Sequence, residues 1–179
     1  MNKKPIVYIA GPECFMLDGK ELAEKALKLC EEYGFEGLSP LTGHPSLPPV
    51  DFSQGKEAAA KQIFLKNINL INMCDVVIAN LNNFRGWEPD SGTCFELGYA
   101  YTQDKKLYGF MDDTRPCYEK YIGNVHYDAP FWRDDNGAFF ESGACNLMIS
   151  GHAQIIEGKF EDALKKAQSD FLGKAENDK

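Results

Sequence analysis

The chain has 179 residues, a hydrophobic content of 44%, a charged content of 26% and a formal net charge of −8 at pH 7. These values are typical of one soluble globular domain with a substantial core. The negative charge argues against a nucleic-acid partner, because no basic face is available to replace counterions on a phosphate backbone. No apolar stretch approaches the roughly 20 residues of a membrane span, so we also expect no membrane partner.

Neither the first residues nor the cysteines indicate export or a metal site. Residues 1–5 lead directly into a strand pattern and lack the architecture of a signal peptide. The six cysteines form no C-x-x-C pair, and the three histidines have no metal-ligand spacing. This pattern favours reduced thiols in a cytoplasmic protein without a metal.

Strand and helix patterns alternate along the chain. In order, they predict a strand over 6–10, a helix over 19–33, a strand over 35–39, a helix over 56–73, a strand over 75–81, a helix over 90–103, a strand over 106–111, a strand over 153–156 and a helix over 159–171. Glycine and proline mark the breaks, notably at Gly11–Pro12, at Gly34 and in the proline-rich loop 40–55.

One long segment, residues 112–145, has no clear period. It is rich in Gly, Pro and Asp, but it also carries many aromatic side chains, which are too many for a disordered linker. We interpret it as an ordered lid or subunit contact. A short helix or turn is expected over 146–150, and a frayed tail over 173–179 follows a single domain over 1–172.

Strands that alternate with helices predict an α/β fold: a doubly wound, five-stranded parallel sheet with helices on both faces. Ligands of such folds bind outside the carboxyl ends of the strands. Gly11, the loop 80–89 and the start of segment 112–145 all lie at those ends. Asp90 and Glu96 therefore fall where a ligand is expected.

The segment from Asp90 to Ala100, DSGTCFELGYA, is the most informative motif. Asp90 is a good helix N-cap, and Glu96 then lies in the second turn with Gly92 on its own face. A carboxylate among small and apolar residues is unfavourable for stability but suits a nucleophile. Two carboxylates at one pocket suit chemistry at a sugar anomeric carbon. The alternative to a catalytic role is that Glu96 is an ordinary surface glutamate of the helix and that Asp90 only caps the helix.

Four motifs in this order resemble the nucleoside 2-deoxyribosyltransferase family: YIAGP at 8–12, DVVIA at 75–79, the segment 90–100, and NLMI at 146–149. The resemblance implies a flavodoxin-like fold, homo-oligomers built from dimers, and no metal or organic cofactor. It also implies exchange of nucleobases on 2′-deoxynucleosides through a covalent deoxyribosyl-glutamate, with retention. Small-molecule deoxynucleosides and free nucleobases would be the partners.

The same resemblance implies roles for individual residues. Glu96 would be the nucleophile, Asp90 would bind a sugar hydroxyl beside it, and Tyr8 would orient the glutamate. Asn146, lent by the neighbouring subunit, would bind the 5′-hydroxyl with Met148 close by. Gly11 and Gly92 lie in the matching motifs and are assigned to substrate binding.

One position departs from the family pattern. The family usually has an aspartate eight residues before the aspartate of its central strand, where it meets the base, and this chain has Asn67 there. An amide can form hydrogen bonds with a base but cannot act as an acid. Base preference and the route of the proton therefore stay open.

Two further functions are compatible with the same residues. Water could replace the acceptor base, as in related hydrolases of deoxynucleoside 5′-monophosphates. Those enzymes need a phosphate grip after the first strand, and Glu13 and the lack of serines there disfavour it. A non-catalytic nucleotide sensor on the same fold is the other alternative, since fold alone does not determine function.

Overall fold

The computed structural model describes residues 3–171. In chain order the elements are β1 (Ile6–Ala10), α1 (Gly19–Glu32), β2 (Glu36–Leu38), α2 (Lys56–Met73), β3 (Val76–Asn80), α3 (Ser91–Tyr101), β4 (Lys106–Met111), α4 (Cys117–Lys120), β5 (Val125–Asp128), β6 (Phe131–Asp134), α5 (Leu147–Ser150), β7 (Gln154–Glu157) and α6 (Phe160–Phe171). The strands and helices predicted from the sequence are all present, and their boundaries differ from the predicted ones by at most two residues. The tail predicted over 173–179 lies outside the described residues.

Five strands form one parallel sheet in the order β2-β1-β3-β4-β7. This order is that of a flavodoxin-like, doubly wound fold, as predicted. The order reverses beside β1, because the chain moves outward to β2 and then crosses back to β3. The crevice at this reversal, outside the carboxyl ends of β1 and β3, is where such sheets bind ligands.

Helices cover both faces of the sheet. On one face, side chains of α2 and α3 pack on Tyr8, Ala10 and Val77. On the other face, α1 and α6 pack on Val7 and Ile78. Because both faces are covered, successive residues of the central strands are fully buried, which explains the continuous apolar run of β3.

Segment 112–145 contains regular structure that the sequence analysis did not assign. It holds the short helix α4 and an antiparallel hairpin, β5–β6, which forms its own two-stranded sheet. Tyr118 stacks on Trp132 with ring centroids 5.1 Å apart, so aromatic contacts order the segment. Most hairpin side chains are exposed or half-buried on both faces, so the sequence shows no alternation of polar and apolar residues.

Within the described residues, no helix combines the length and the apolarity that crossing a membrane requires.

Candidate functional site

Three side chains from three elements meet beside β1. The Tyr8 hydroxyl donates a hydrogen bond to Glu96 Oε1 at 2.6 Å. The Asn67 amide, on α2, donates a longer one to the same oxygen at 3.4 Å. No described residue donates to Glu96 Oε2, so one oxygen of this carboxylate is fixed and the other is free for a ligand.

The packing of α3 explains why Glu96 points inward. Thr93, Leu97 and Ala100 are buried against the sheet, at the spacing of one helix face. Glu96 lies beside this face, which brings its carboxylate next to β1 and leaves it largely removed from solvent. On α2, Leu70 and Ile71 are buried in the same way and place Asn67, one turn earlier, toward Glu96.

Burial dominates the electrostatics of Glu96. Desolvation raises its pKa to about 7, and the nearby charge of Asp90 acts in the same direction. The hydrogen bonds from Tyr8 and Asn67 favour the ionised form and offset part of this increase. A carboxyl group with such a pKa is ionised in a substantial fraction of molecules at neutral pH, as a nucleophile must be.

Tyr8 is suited to be a hydrogen-bond donor. Its side chain is fully buried in β1. Burial, together with the neighbouring Glu96 charge, raises the pKa of Tyr8 far above its usual range. The phenol therefore stays protonated and donates to Glu96 at all working pH values.

Asp90 caps the start of α3. Its Oδ2 accepts hydrogen bonds from Thr93 N at 2.9 Å and Thr93 Oγ1 at 3.0 Å, which confirms the predicted N-cap. Within the described chain, Asp90 Oδ1 accepts no hydrogen bond. The cap thus fixes the carboxylate while one oxygen remains available to a ligand hydroxyl.

The side-chain oxygen of Asn67 has no hydrogen-bond partner among the described residues. This atom, Oδ1, is buried. The amide nitrogen is already turned toward Glu96, so the vacant atom is an acceptor. A buried acceptor without a partner costs about 1–3 kcal/mol, and a bound ligand with an N–H or O–H donor would remove that cost.

The turn after β1 is occupied by a third carboxylate. Glu13 Oε1 accepts a hydrogen bond of 2.7 Å from Asn80 at the end of β3. The carboxylate lies over Gly11 so closely that any Cβ at Gly11 would overlap it. Sequence reasoning noted Glu13 but missed Asn80, whose position at the carboxyl end of a central strand was the available signal.

A cavity of about 220 Å³ lies behind this turn, between α1 and α6. None of Tyr8, Asp90 and Glu96 lines it, so it is separate from the cluster around Glu96.

The late motif lies apart from this cluster. Asn146 caps α5 through a 2.9 Å hydrogen bond from Met148 N, and its amide points to Glu141 Oε1 at 3.4 Å. Met148 is 72% exposed. Neither contacts Glu96 within this chain, so a role at a neighbouring subunit's site stays a prediction.

Gly92, which was also assigned to substrate binding, is exposed in the first turn of α3, next to the Asp90 carboxylate.

The described part of the chain contains no group of three or more His, Cys, Asp or Glu side chains placed to hold a metal ion.

Comparison with known proteins gives consistent matches. The family profile described as nucleoside 2-deoxyribosyltransferase matches residues 7–148. A 2-deoxyribosyltransferase from Leishmania mexicana superposes with a TM-score of 0.73 at 33% identity, over 94% of this chain and 99% of that one. A 2-deoxyribosyltransferase from Bacillus psychrosaccharolyticus shares the fold, with a TM-score of 0.58 at 20% identity over 94% of each chain. An uncharacterised protein of Schizosaccharomyces pombe is 30% identical over 159 residues, which span 88% of this chain and 72% of that protein.

Proposed function

The chain belongs to the nucleoside 2-deoxyribosyltransferase family, and we propose that it exchanges nucleobases on 2′-deoxynucleosides through a deoxyribosyl–Glu96 intermediate. The observation that carries this proposal is the Glu96 carboxylate itself. It is desolvated, fixed through Oε1 by Tyr8 and Asn67, and free at Oε2. Such an arrangement destabilises the empty protein and suits a nucleophile.

The proposed reaction has two displacements. In the first, Glu96 Oε2 forms a bond to C1′ while the C1′–N bond breaks and its electron pair leaves with the base. In the second, a ring nitrogen of the acceptor base attacks C1′, its N–H proton passes to water, and Glu96 departs as a carboxylate. Each displacement inverts C1′, so the β-configuration is retained.

The neighbouring residues would support both steps. The Tyr8 and Asn67 donors hold Glu96 in one orientation, which limits the entropy lost on reaching the transition state. The free Oδ1 of Asp90 would accept a hydrogen bond from a sugar hydroxyl next to the nucleophile. The vacant Oδ1 of Asn67 would accept one from a donor group of the nucleoside.

The carboxylate of Glu13 supports a nucleoside rather than a 5′-monophosphate as substrate. Asn80 fixes it over Gly11, at the turn where a phosphate grip would otherwise form. A phosphate placed there would meet a fixed negative charge of the same sign. This argues against the monophosphate hydrolase as the first choice.

A homo-oligomer would complete the site. Phe64 on α2 and Phe95 on α3 are 50% and 53% exposed, with ring centroids 5.9 Å apart, so the two helices share an apolar outer surface. Apolar surface of this kind marks contacts with other proteins. In the proposed oligomer, a second copy packs there and contributes Asn146 and Met148, which are exposed in the single chain.

Base exchange is tested by incubating the protein with thymidine and free adenine and separating the products by chromatography. We expect deoxyadenosine and thymine from the wild type and a loss of at least about 10³-fold in Glu96→Gln. Glu161→Gln is the matched control, since Glu161 accepts the same 2.6 Å bond from Tyr33 on the opposite face. Free deoxyribose in place of deoxyadenosine would show water to be the acceptor, and no turnover of thymidine or deoxyinosine would favour the monophosphate hydrolase or the sensor.

Substrate phosphorylation is tested by competing thymidine with thymidine 5′-monophosphate. We expect the wild type to prefer the nucleoside and Glu13→Gln to lose part of that preference, because the fixed charge is removed while Asn80 keeps a hydrogen-bond partner. Equal use of both donors by the wild type would contradict this assignment.

A further inference from the structure

A cationic side chain lies on two aromatic rings at the edge of the site. Phe15 and Phe84 stack with ring centroids 5.6 Å apart and planes inclined by 23°. The Arg85 guanidinium lies 5.0 Å from the Phe15 ring and 4.8 Å from the Phe84 ring. Arg85 has a φ of 52°, which is uncommon for a residue other than glycine. This backbone turn, together with the rings, gives the guanidinium a defined place.

Arg85 differs from the other two arginines of the chain. Arg115 pairs with Asp113 at 2.6 Å, and Arg133 lies 3.2 Å from Asp128. Within residues 3–171, Arg85 makes no ion pair and donates no hydrogen bond. Its planar set of N–H donors is therefore free, although the protein as a whole is acidic.

The location links Arg85 to the carboxylates of the site. The loop that carries it runs from the end of β3 to Asp90, at the carboxyl edge of the sheet. Its two supporting rings come from the segments that follow β1 and β3, since Phe15 lies just after β1 and Phe84 lies just after β3. The guanidinium is therefore held between the loops that follow β1 and β3, the two strands whose carboxyl ends flank the crevice.

The first displacement creates a need for such a group. When the C1′–N bond breaks, its electron pair stays on the base nitrogen and spreads to any carbonyl oxygen of the ring. Asn67, nearest to Glu96, has no acidic proton to give to the departing base. A cation with paired donors can stabilise this anion until water protonates it, and guanidinium matches an adjacent oxygen and nitrogen in two parallel bonds.

We propose that Arg85 binds the departing and entering nucleobase through a ring carbonyl and its neighbouring nitrogen, which favours oxo-bases such as hypoxanthine over adenine. This inference rests on the proposed function, because it assigns the leaving-group side of the same reaction. Phe15 and Phe84 hold the guanidinium in place by cation–π contact.

The test compares two purine donors that differ at the carbonyl. Rates of base release are measured with deoxyinosine and deoxyadenosine for the wild type, Arg85→Ala, Arg85→Lys and Arg115→Ala. We expect Arg85→Ala to reduce kcat/KM for deoxyinosine about 100-fold and for deoxyadenosine by less than about threefold. Arg85→Lys should be intermediate, because it keeps the charge and loses the paired donors. Arg115→Ala, whose partner is Asp113, should match the wild type.

A second variant separates a chemical role from a structural one. Phe84→Leu removes a supporting ring and keeps Arg85, so we expect a smaller loss with the same preference between donors. Equal losses on both donors, or a loss confined to 5′-monophosphates, would overturn the role of Arg85 and leave base exchange intact. A wild type that releases no base from any deoxynucleoside would overturn both, and this is seen before any variant is measured.

Discussion

The ionisation of Glu96 sets the expected pH dependence of catalysis. Burial raises its pKa to about 7, and the proposed nucleophile is the ionised form of this carboxyl group. We therefore expect kcat/KM of the free enzyme to fall about tenfold per pH unit below that value. A pH–rate profile from 5 to 9 with a saturating acceptor base measures it. An acid limb near 4.5, the usual value of a glutamate, would contradict the desolvated site.

Removing the Tyr8 hydroxyl should move this limb upward. The hydrogen bond from Tyr8 stabilises the ionised carboxylate and lowers the pKa of Glu96, so Tyr8→Phe should raise that pKa and shift the acid limb to higher pH. Tyr108→Phe is the control, because Tyr108 is equally buried in the sheet but donates to Asp170. A limb that shifts alike in both variants would point to a general loosening of the fold.

The same carboxylate should cost stability at alkaline pH. Its pKa is raised in the folded state, so between about 4.5 and about 7 the folded chain binds more protons than the unfolded chain, and stability falls as pH rises. We expect Glu96→Gln to raise the free energy of unfolding at pH 8 by about 1–3 kcal/mol, with no gain below pH 4.5. Urea unfolding of both proteins at the two pH values measures this. An equal effect at both pH values would contradict it.

At the scale of the element, α3 depends on Asp90 for its first turn. Asp90→Ala should destabilise the protein by about 1 kcal/mol through loss of the cap. Asp90→Asn keeps an acceptor for Thr93 N, so stability should be retained. Removing the charge lowers the pKa of Glu96 and moves the acid limb to lower pH. An unchanged acid limb in Asp90→Asn would mean that Asp90 only caps the helix, and equal stability of the two variants would contradict the role of the cap.

The elements that could be predicted are those whose burial follows a period. β3 is apolar throughout because both of its faces are covered, and α3 begins where Asp90 caps it. The β5–β6 hairpin was missed because exposed, aromatic-rich strands have no such period. Resemblance to a family supplied the roles of Tyr8 and Glu96, but the contact between Glu13 and Asn80 was not visible, since it joins side chains 67 positions apart.

At the scale of the whole molecule, the apolar outer surface of α2 and α3 predicts assembly. Phe64→Glu should place a charge in the contact between copies, reduce the mass measured by sedimentation, and lower activity because each site then lacks its neighbour's Asn146. Phe52→Glu is the control: Phe52 is 72% exposed, in the loop before α2. A wild type that is monomeric and fully active would contradict this proposal.

The order of strands in the sheet also affects how the protein forms during synthesis. β1 leaves the ribosome first, but its inner neighbour β3 follows only much later, since Val7 pairs with Val76. Until then one edge of an apolar strand has no native partner, and such non-local pairing folds slowly and exposes nascent chains to aggregation. The hydrogen bond from Tyr8 to Glu96 forms later still, because α3 must first be translated and packed against the sheet.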